Sequence, residues 1–249
     1  MGTPGKRTPD GEREWYFNNK VLLACEAKLK TYQNVQIKRV DDPTGKHDMP
    51  LVSRTNVANH WGADALVSIH HNANKGVWGN HGGVETYVDP TASQASKDIA
   101  ALVHPRIVKA MGLRDRGVRV KNLHMTRESR MPAILTEGGF MDSTTDIGAL
   151  RSDARLKAQG EAIAEGLAEY FKLKPKNAPK EEDELKLSSP SLKAEGDFSL
   201  ASRARREIVV KAAVKSGAHV SWLKKLEDGQ VTDGDILYLA LKHTVDSNI

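Results

Sequence analysis

The sequence predicts an α/β fold: an open, twisted, mostly parallel sheet with helices on both faces, followed by a small all-α C-terminal module. Three observations carry this expectation. Short apolar runs of strand length alternate, over residues 13–172, with longer stretches whose apolar residues recur at helical spacing. Two of those runs stop abruptly on polar groups: Ala65 to Ile69 ends in His70-His71-Asn72, and Pro132 to Thr136 ends in Glu137-Gly-Gly. In an α/β sheet, ligands and metals sit at the carboxyl ends of the strands, so one strand offers imidazole and another carboxylate to a single edge. Beyond Lys174 the composition shifts to Pro, Ser and a Glu-Glu-Asp-Glu run, the signature of a solvated linker. The expected organisation is a catalytic domain over residues 1–173, a linker over 174–192 and a helical module over 193–249.

In chain order, residues 1–12 read as a loop rich in Gly, Pro and Thr. From Arg13 to Tyr32, Phe17, Val21, Cys25 and Leu29 recur every four positions and make one helix face. Val35, Ile37 and Val40 alternate as a short strand, and Leu51 to Trp61 is a second helix leading into the His70 strand. After a glycine-rich loop, Val84 to Val88 alternates as a strand. Thr91 to Met111 is a long amphipathic helix, and Arg116 to Thr126 an irregular stretch with short extended pieces. Two helices, Ser143 to Leu150 and Asp153 to Lys172, follow the Glu137 strand. In the C-terminal module, Phe198 to Gly217, His219 to Leu226 and Thr232 to Val245 read as short helices.

Bulk properties narrow the function. With 249 residues, the chain accommodates one full-sized domain plus a small one. A net charge of +5 favours an acidic polymer as partner. The basic residues are scattered among acids rather than gathered with aromatics, which argues against nucleic acid. No apolar run approaches the roughly 20 residues of a membrane span, and no signal-peptide pattern opens the chain. The expectation is therefore synthesis in the cytoplasm without membrane insertion. The single cysteine, Cys25, excludes an intrachain disulfide and lies on the apolar helix stripe, as a buried structural thiol does.

Zinc hydrolases commonly draw three protein ligands from His and Glu or Asp and leave a fourth position for water, whose proton a nearby carboxylate takes. His70 suits the role of ligand, Glu137 that of base, and Glu14, opening the first helix, that of an acidic ligand. Each has a plainer rival. His70 would serve as a hydrogen-bonded strand-end residue, Glu137 as a carboxylate paired with Arg127 or Arg130, and Glu14 as a first-turn acid favoured by the helix dipole. His47, His60, His104, His124, His219 and His243 show no partner spacing and read as surface or core histidines.

The motifs together resemble a known family. Glu14-Trp-Tyr-Phe-Asn18 looks like the glutamate-led helix start of the zinc-dependent N-acetylmuramoyl-L-alanine amidases of the amidase-3 type. Leu51, Arg54, Ala58-Asn59 and Ala63-Asp-Ala-Leu-Val-Ser-Ile-His70-His-Asn72-Ala73 resemble its central signature, and Gly83-Val-Glu-Thr-Tyr87 and Pro132-Ala-Ile-Leu-Thr-Glu137-Gly-Gly-Phe140 match two further blocks in order. The resemblance covers about residues 3–172. It implies Glu14 and His70 as Zn2+ ligands, Glu137 as the catalytic carboxylate, and bacterial peptidoglycan as the partner. The bond cut would join N-acetylmuramic acid to L-alanine. With no export signal, a phage endolysin acting on the wall after release is the expected setting, ahead of a bacterial autolysin.

One departure bears on activity. Members of the family begin with a strand ending in a Gly-His-Gly-like turn, whose histidine is the first zinc ligand. Here Met1-Gly-Thr-Pro-Gly5 looks like the continuation just after that turn, so the strand and its histidine are expected to be missing. Three explanations stand: truncation, a natural inactive relative that binds walls without cutting them, or another histidine moving in. His71 should point away from His70 by strand alternation, which leaves His81 as the substitute to consider. The C-terminal module resembles no family; its tether suggests wall binding, while its Arg203-Ala-Arg-Arg206 cluster reads as a solvated helix face.

Overall fold

The computed structural model describes residues 7–176, 203–215, 217–232, 235–236 and 239. The chain divides into two compact units, Met1–Asn177 and Ala178–Ile249. In the first, helix α1 (Glu14–Leu29) and helix α2 (Leu51–Trp61) precede strands β1 (Leu66–Asn72) and β2 (Val84–Val88). Then come α3 (Gln94–Met111), β3 (Asp115–Val120), the short α4 (His124–Arg127) and β4 (Ala133–Phe140). A one-turn α5 (Ile147–Leu150) and the long α6 (Asp153–Tyr170) close the unit. The four strands lie in the order β1-β4-β2-β3. β1 pairs parallel with β4 and β2 parallel with β3, whereas β2 and β4 are antiparallel. The sheet is thus mixed and mostly parallel, with helices on both faces.

The faces differ in depth. On one, α1, α3 and α6 bury a large core that includes Val21, Ile99, Val103, Ile107, Ile134 and Ile163. On the other, α2 and α4 cover only the amino-terminal half of the strands, through Ala58, Leu66, Met125 and Ala133. The carboxyl-terminal half of that second face is left open. Local signals explain several boundaries. Ser93 caps α3 by accepting from the Ser96 N–H at 3.2 Å, and Ser152 does the same for α6 from Arg155 at 3.4 Å. Pro105 sits inside α3, where it withholds one backbone donor from the helix ladder.

Three expectations are revised. Val35 to Val40 forms no strand; its alternation is present, but no strand pairs with it among the described residues. Arg116 to Thr126 is more regular than expected, containing most of β3 and most of α4. The first half of the stretch from Ser143 to Leu150 is a tight turn stitched by the Ser143 hydroxyl, and the second half, Ile147–Leu150, is helical. Cys25 is buried as expected, and desolvation, aided by the Glu26 charge, pushes its thiol up to about 12.

In the second unit, α7 (Arg203–Lys215) and α8 (Ser221–Glu227) pack Val210 and Ala213 against Val231, Ile236 and Leu239, with Trp222 and Leu223 at the margin. Arg206 donates from Nη1 to the Val231 carbonyl at 2.8 Å. Most of the expected linker, and the greater part of the third helical pattern, lie outside the described residues. Among the described residues no helix is long and apolar enough to cross a membrane.

The closest helix contact is α1 on α6. A Cβ on Gly160 would fall well inside van der Waals contact of the Val21 carbonyl oxygen and 2.7 Å from the Cys25 amide nitrogen. Both are backbone atoms of α1, so only a shift of the helix relieves the clash. Gly160→Ala is expected to lower the unfolding free energy by about 1–3 kcal/mol in urea titrations. Gly148→Ala, where nothing lies within 4 Å, serves as the unperturbed control.

Candidate active site

The open half of the sheet carries the residues singled out by the sequence. The β1–β4 register sets His70 beside Glu137, and the β2–β4 register sets Glu85 on the other side of Glu137. Neighbouring strands lie about 4.8 Å apart, so an imidazole and two carboxylates line up across three strands on one face. Glu14, buried in the first turn of α1, reaches the same place from the edge: His70 Nδ1 donates to its Oε1 at 2.7 Å. Ser68 Oγ lies 3.0 Å from His70 Nε2 and suits the remaining ring lone pair. Asn18, one turn along α1, donates to the same Glu14 oxygen at 2.9 Å.

His71 points the opposite way, as strand alternation requires. It is buried, with Nδ1 donating to Asn18 Oδ1 at 2.7 Å and Nε2 lying 3.2 Å from the Gln159 amide. Burial is the main cause holding its pKa down at about 4, so the ring is neutral, with one donor and one acceptor. Gln159 Oε1 is the atom facing Nε2; with the proton on Nδ1 for the shorter Asn18 contact, a flip of the Gln159 amide would turn its nitrogen toward Nε2 as donor. Gln159 itself fits beneath β4 only because residue 138 is glycine, whose missing Cβ leaves the space the amide fills. A buried polar chain of Glu14, Asn18, His71 and Gln159 therefore ties α1, β1 and α6 together under the cleft.

The rival readings resolve unevenly. Arg127 pairs with Glu128 at 2.7 Å rather than with Glu137. Glu12, the acid nearest Glu14, is held by Arg151 Nε at 2.6 Å, which leaves Glu14 as the one turned inward. His81 joins a different cluster. Its Nε2 lies 2.7 Å from Asp142 Oδ1, while Asp142 Oδ2 accepts the backbone N–H groups of Asn74, Lys75 and Gly76 at 2.8–2.9 Å. His104 is buried between Thr86 and Asp115, His124 meets Thr55 of α2, and His47, His60 and His219 make local contacts; His243 lies outside the described residues.

Residues missed in the sequence complete the rim. The Glu85 carboxylate, 2 % exposed, accepts from Arg116 Nε at 2.6 Å and Tyr87 Oη at 2.6 Å, and from Asn72 Nδ2 at 3.0 Å. Burial acts to raise its pKa, but Tyr87, Arg116 and Arg119 outweigh it and hold the carboxyl below its ordinary value. Tyr87 is pushed up by burial and by the Glu85 and Glu137 charges. A cleft of about 710 Å³ runs along the outer edge of β1, between Glu14 and His70 on one side and the 38–48 segment on the other.

Glu14 and His70 offer donor atoms converging on one point, a start toward a metal site. Among the described residues, however, no group of three or more His, Cys, Asp and Glu is arranged to hold a metal ion. The donors present do not by themselves make a zinc site.

An α/β sheet whose open carboxyl end aligns an imidazole with acidic side chains defines a hydrolase-like cleft. Residues 2–169 match the profile of Amidase_3, N-acetylmuramoyl-L-alanine amidase, and the chain belongs to that family. It is 39 % identical over 180 residues to the N-acetylmuramoyl-L-alanine amidase CwlM of Bacillus licheniformis, covering 71 % of this chain and 67 % of that protein. It is 34 % identical to the endolysin of Bacillus phage SPP1, covering 66 % of this chain but only 61 % of that protein. The catalytic domain of CwlV, an amidase from Bacillus (Paenibacillus) polymyxa var. colistinus, superimposes with a TM-score of 0.60 at 30 % identity. That match covers 70 % of this chain and 92 % of the domain.

The Asp142 anchor shapes the loop at the carboxyl end of β1. Asp142→Asn removes the charge that gathers three N–H groups and is expected to cost about 2–3 kcal/mol in thermal or urea unfolding. Burial opposes ionisation of this carboxyl, but His81 and the three N–H groups hold its pKa below 3.8. Its stabilisation is thus fully present above the unfolded value and lost as pH falls through the lower folded one. Melting curves below pH 4 should accordingly fall less steeply for Asp142→Asn than for the wild type.

Proposed function

We propose that this protein hydrolyses the amide bond between N-acetylmuramic acid and L-alanine in bacterial peptidoglycan. Family membership supports the reaction class. The observation that carries the assignment to this cleft is the β1–β4 register, which sets His70 beside Glu137 above the Glu14 carboxylate. In this reading Glu137 is the catalytic carboxylate. It accepts a proton from the water that adds to the lactyl carbonyl, and returns it to the alanine nitrogen as the C–N bond breaks. Glu14 and His70 would be two of the ligands of a zinc ion, and the Asn18–His71–Gln159 chain holds them in place. Together with a further donor they would hold a Lewis acid able to lower the pKa of water. The cleft along β1 is the approach by which a further donor would reach Glu14 and His70.

The setting we favour is phage lysis, in which the enzyme reaches the wall after release; similarity to the SPP1 endolysin supports it. The C-terminal module is read as a wall-binding unit that raises the local concentration of the cleft at its substrate. A second reading is a wall-binding relative without activity. Its support is the absence of a three-donor group among the described residues.

Two measurements test these readings. The full chain, dialysed against metal-free buffer and given one equivalent of zinc, should retain about one zinc and expose new alanine amino groups on purified walls. Glu137→Gln should cut that release about 10²–10⁴-fold with zinc retained, and His70→Ala should lose the zinc. Wall sedimentation without zinc retention or release would select the inactive relative. Separately, removing residues 191–249 should reduce sedimentation with walls; unchanged sedimentation would end the wall-binding reading of the module.

A further inference from the structure

The geometry points to a carboxylate-recognition subsite formed by Arg116 and Arg119 beside Glu137, which takes the free carboxylate of the peptide being released. The choice of ligand rests on the peptidoglycan reading above; the subsite itself rests on how β3 is built.

β3 carries one residue too many. Val84 pairs with Asp115 but Thr86 pairs with Val118, so two steps along β2 match three along β3. The extra residue falls around Gly117, whose φ of +85° belongs to the left-handed region that glycine adopts without strain. In a regular strand, Arg116 and Arg119, an odd number of positions apart, would face opposite sides. The bulge turns both toward Glu85: Arg116 Nε lies 2.6 Å and Arg119 Nε 3.2 Å from the same Oε1.

One carboxylate cannot neutralise two guanidinium groups. Lys121, whose Nζ lies 5.5 Å from the centre of the Tyr87 ring, adds to the excess. Charged residues on an edge strand commonly serve to repel other strands, and that accounts for Arg114 and Lys121. It does not account for two arginines converging, through a bulge, on a carboxylate with almost no exposure. Glu85 is itself fixed by Tyr87 and Asn72, so the pair is held ready rather than ordered on binding. The hydrogen bonds of Arg119 use Nε, and its side chain is 48 % exposed, which leaves the two Nη groups as a fork for an incoming carboxylate. Arg119 pairs in register with Tyr87, and Glu85 with Glu137. The fork therefore lies one to two strand spacings, about 5–10 Å, from Glu137, the reach of a peptide residue or two.

The test is binding of two soluble probes to the full-length protein, followed by titration calorimetry or NMR. One is N-acetylmuramyl-L-alanyl-D-glutamate with its α-carboxylate free; the other is the same compound with that carboxylate amidated. The wild type should bind the acid about tenfold more tightly than the amide. Arg119→Gln, a change at a half-exposed side chain, should bring the ratio to within twofold while amide affinity stays unchanged. Deletion of Gly117 should do the same by restoring regular alternation, and its melting curve reports whether the sheet survives. A wild-type ratio near one, no detectable binding of the acid, or a preference that persists in Arg119→Gln would each overturn the subsite. Release of peptide from walls is scored apart: acid preference without release sinks the amidase reading alone, and release without acid preference sinks the subsite alone.

Discussion

The parallel register of β1 with β4 is the constraint on which the rest of the cleft depends. It is enforced from both faces at once. His70 is drawn toward the open side by Glu14 and Ser68, while His71 is locked into the core side by Asn18 and Gln159. A slip of one residue would exchange the two rings, thrusting an unpartnered imidazole into an apolar core and emptying the cleft. Two adjacent histidines thus act as a key that fits in one orientation only. The surroundings are cut to match: Gly138 makes room for Gln159, and Gly160 lets α6 pack directly on the backbone of α1.

Much of this was legible in the sequence because it is written in local patterns. The apolar stripe of Phe17, Val21 and Cys25 foretells a buried helix face, and all three are buried. The apolar runs before His70 and Glu137 foretell β1 and β4 and the side-by-side placing of the two polar residues, although the strands run on to Asn72 and Phe140. Strand alternation alone separates the role of His71 from that of His70. Other features were hidden because their causes are not local. Val35 to Val40 alternates like a strand, but pattern cannot supply a pairing partner. β3 was obscured for the opposite reason, since the bulge breaks alternation and the exposed charges mask the strand. Glu85 and Arg116 are separated by 31 positions, and Asp142 by more than 60 from the amides it gathers, so neither cluster has a sequence signature. A glycine within a strand-like run of charges was the one available hint.

Charge around the cleft is distributed by burial. Glu14 and Glu85 are both nearly inaccessible, and each is surrounded by fixed donors that remove its freedom to reorient. Glu137 stands between them in the strand register and is less buried. Three acids in a row would repel one another strongly if equally exposed and equally free. Arginines at one end and imidazole at the other divide the row into distinct environments, and in such rows chemically similar groups take different roles.

The sheet also has two unlike borders. On the β3 side, a bulged backbone with Arg114 and Lys121 blocks the approach of another strand. On the β1 side, the border is straight through Ile69, carries Val67 and Ile69, and opens directly onto the cleft. Among the described residues no strand covers the outer side of β1, so a strand from a neighbouring molecule would meet less obstruction there than at β3. Growth from that border would bring new backbone alongside Glu14 and His70, so assembly and chemistry share the same rim.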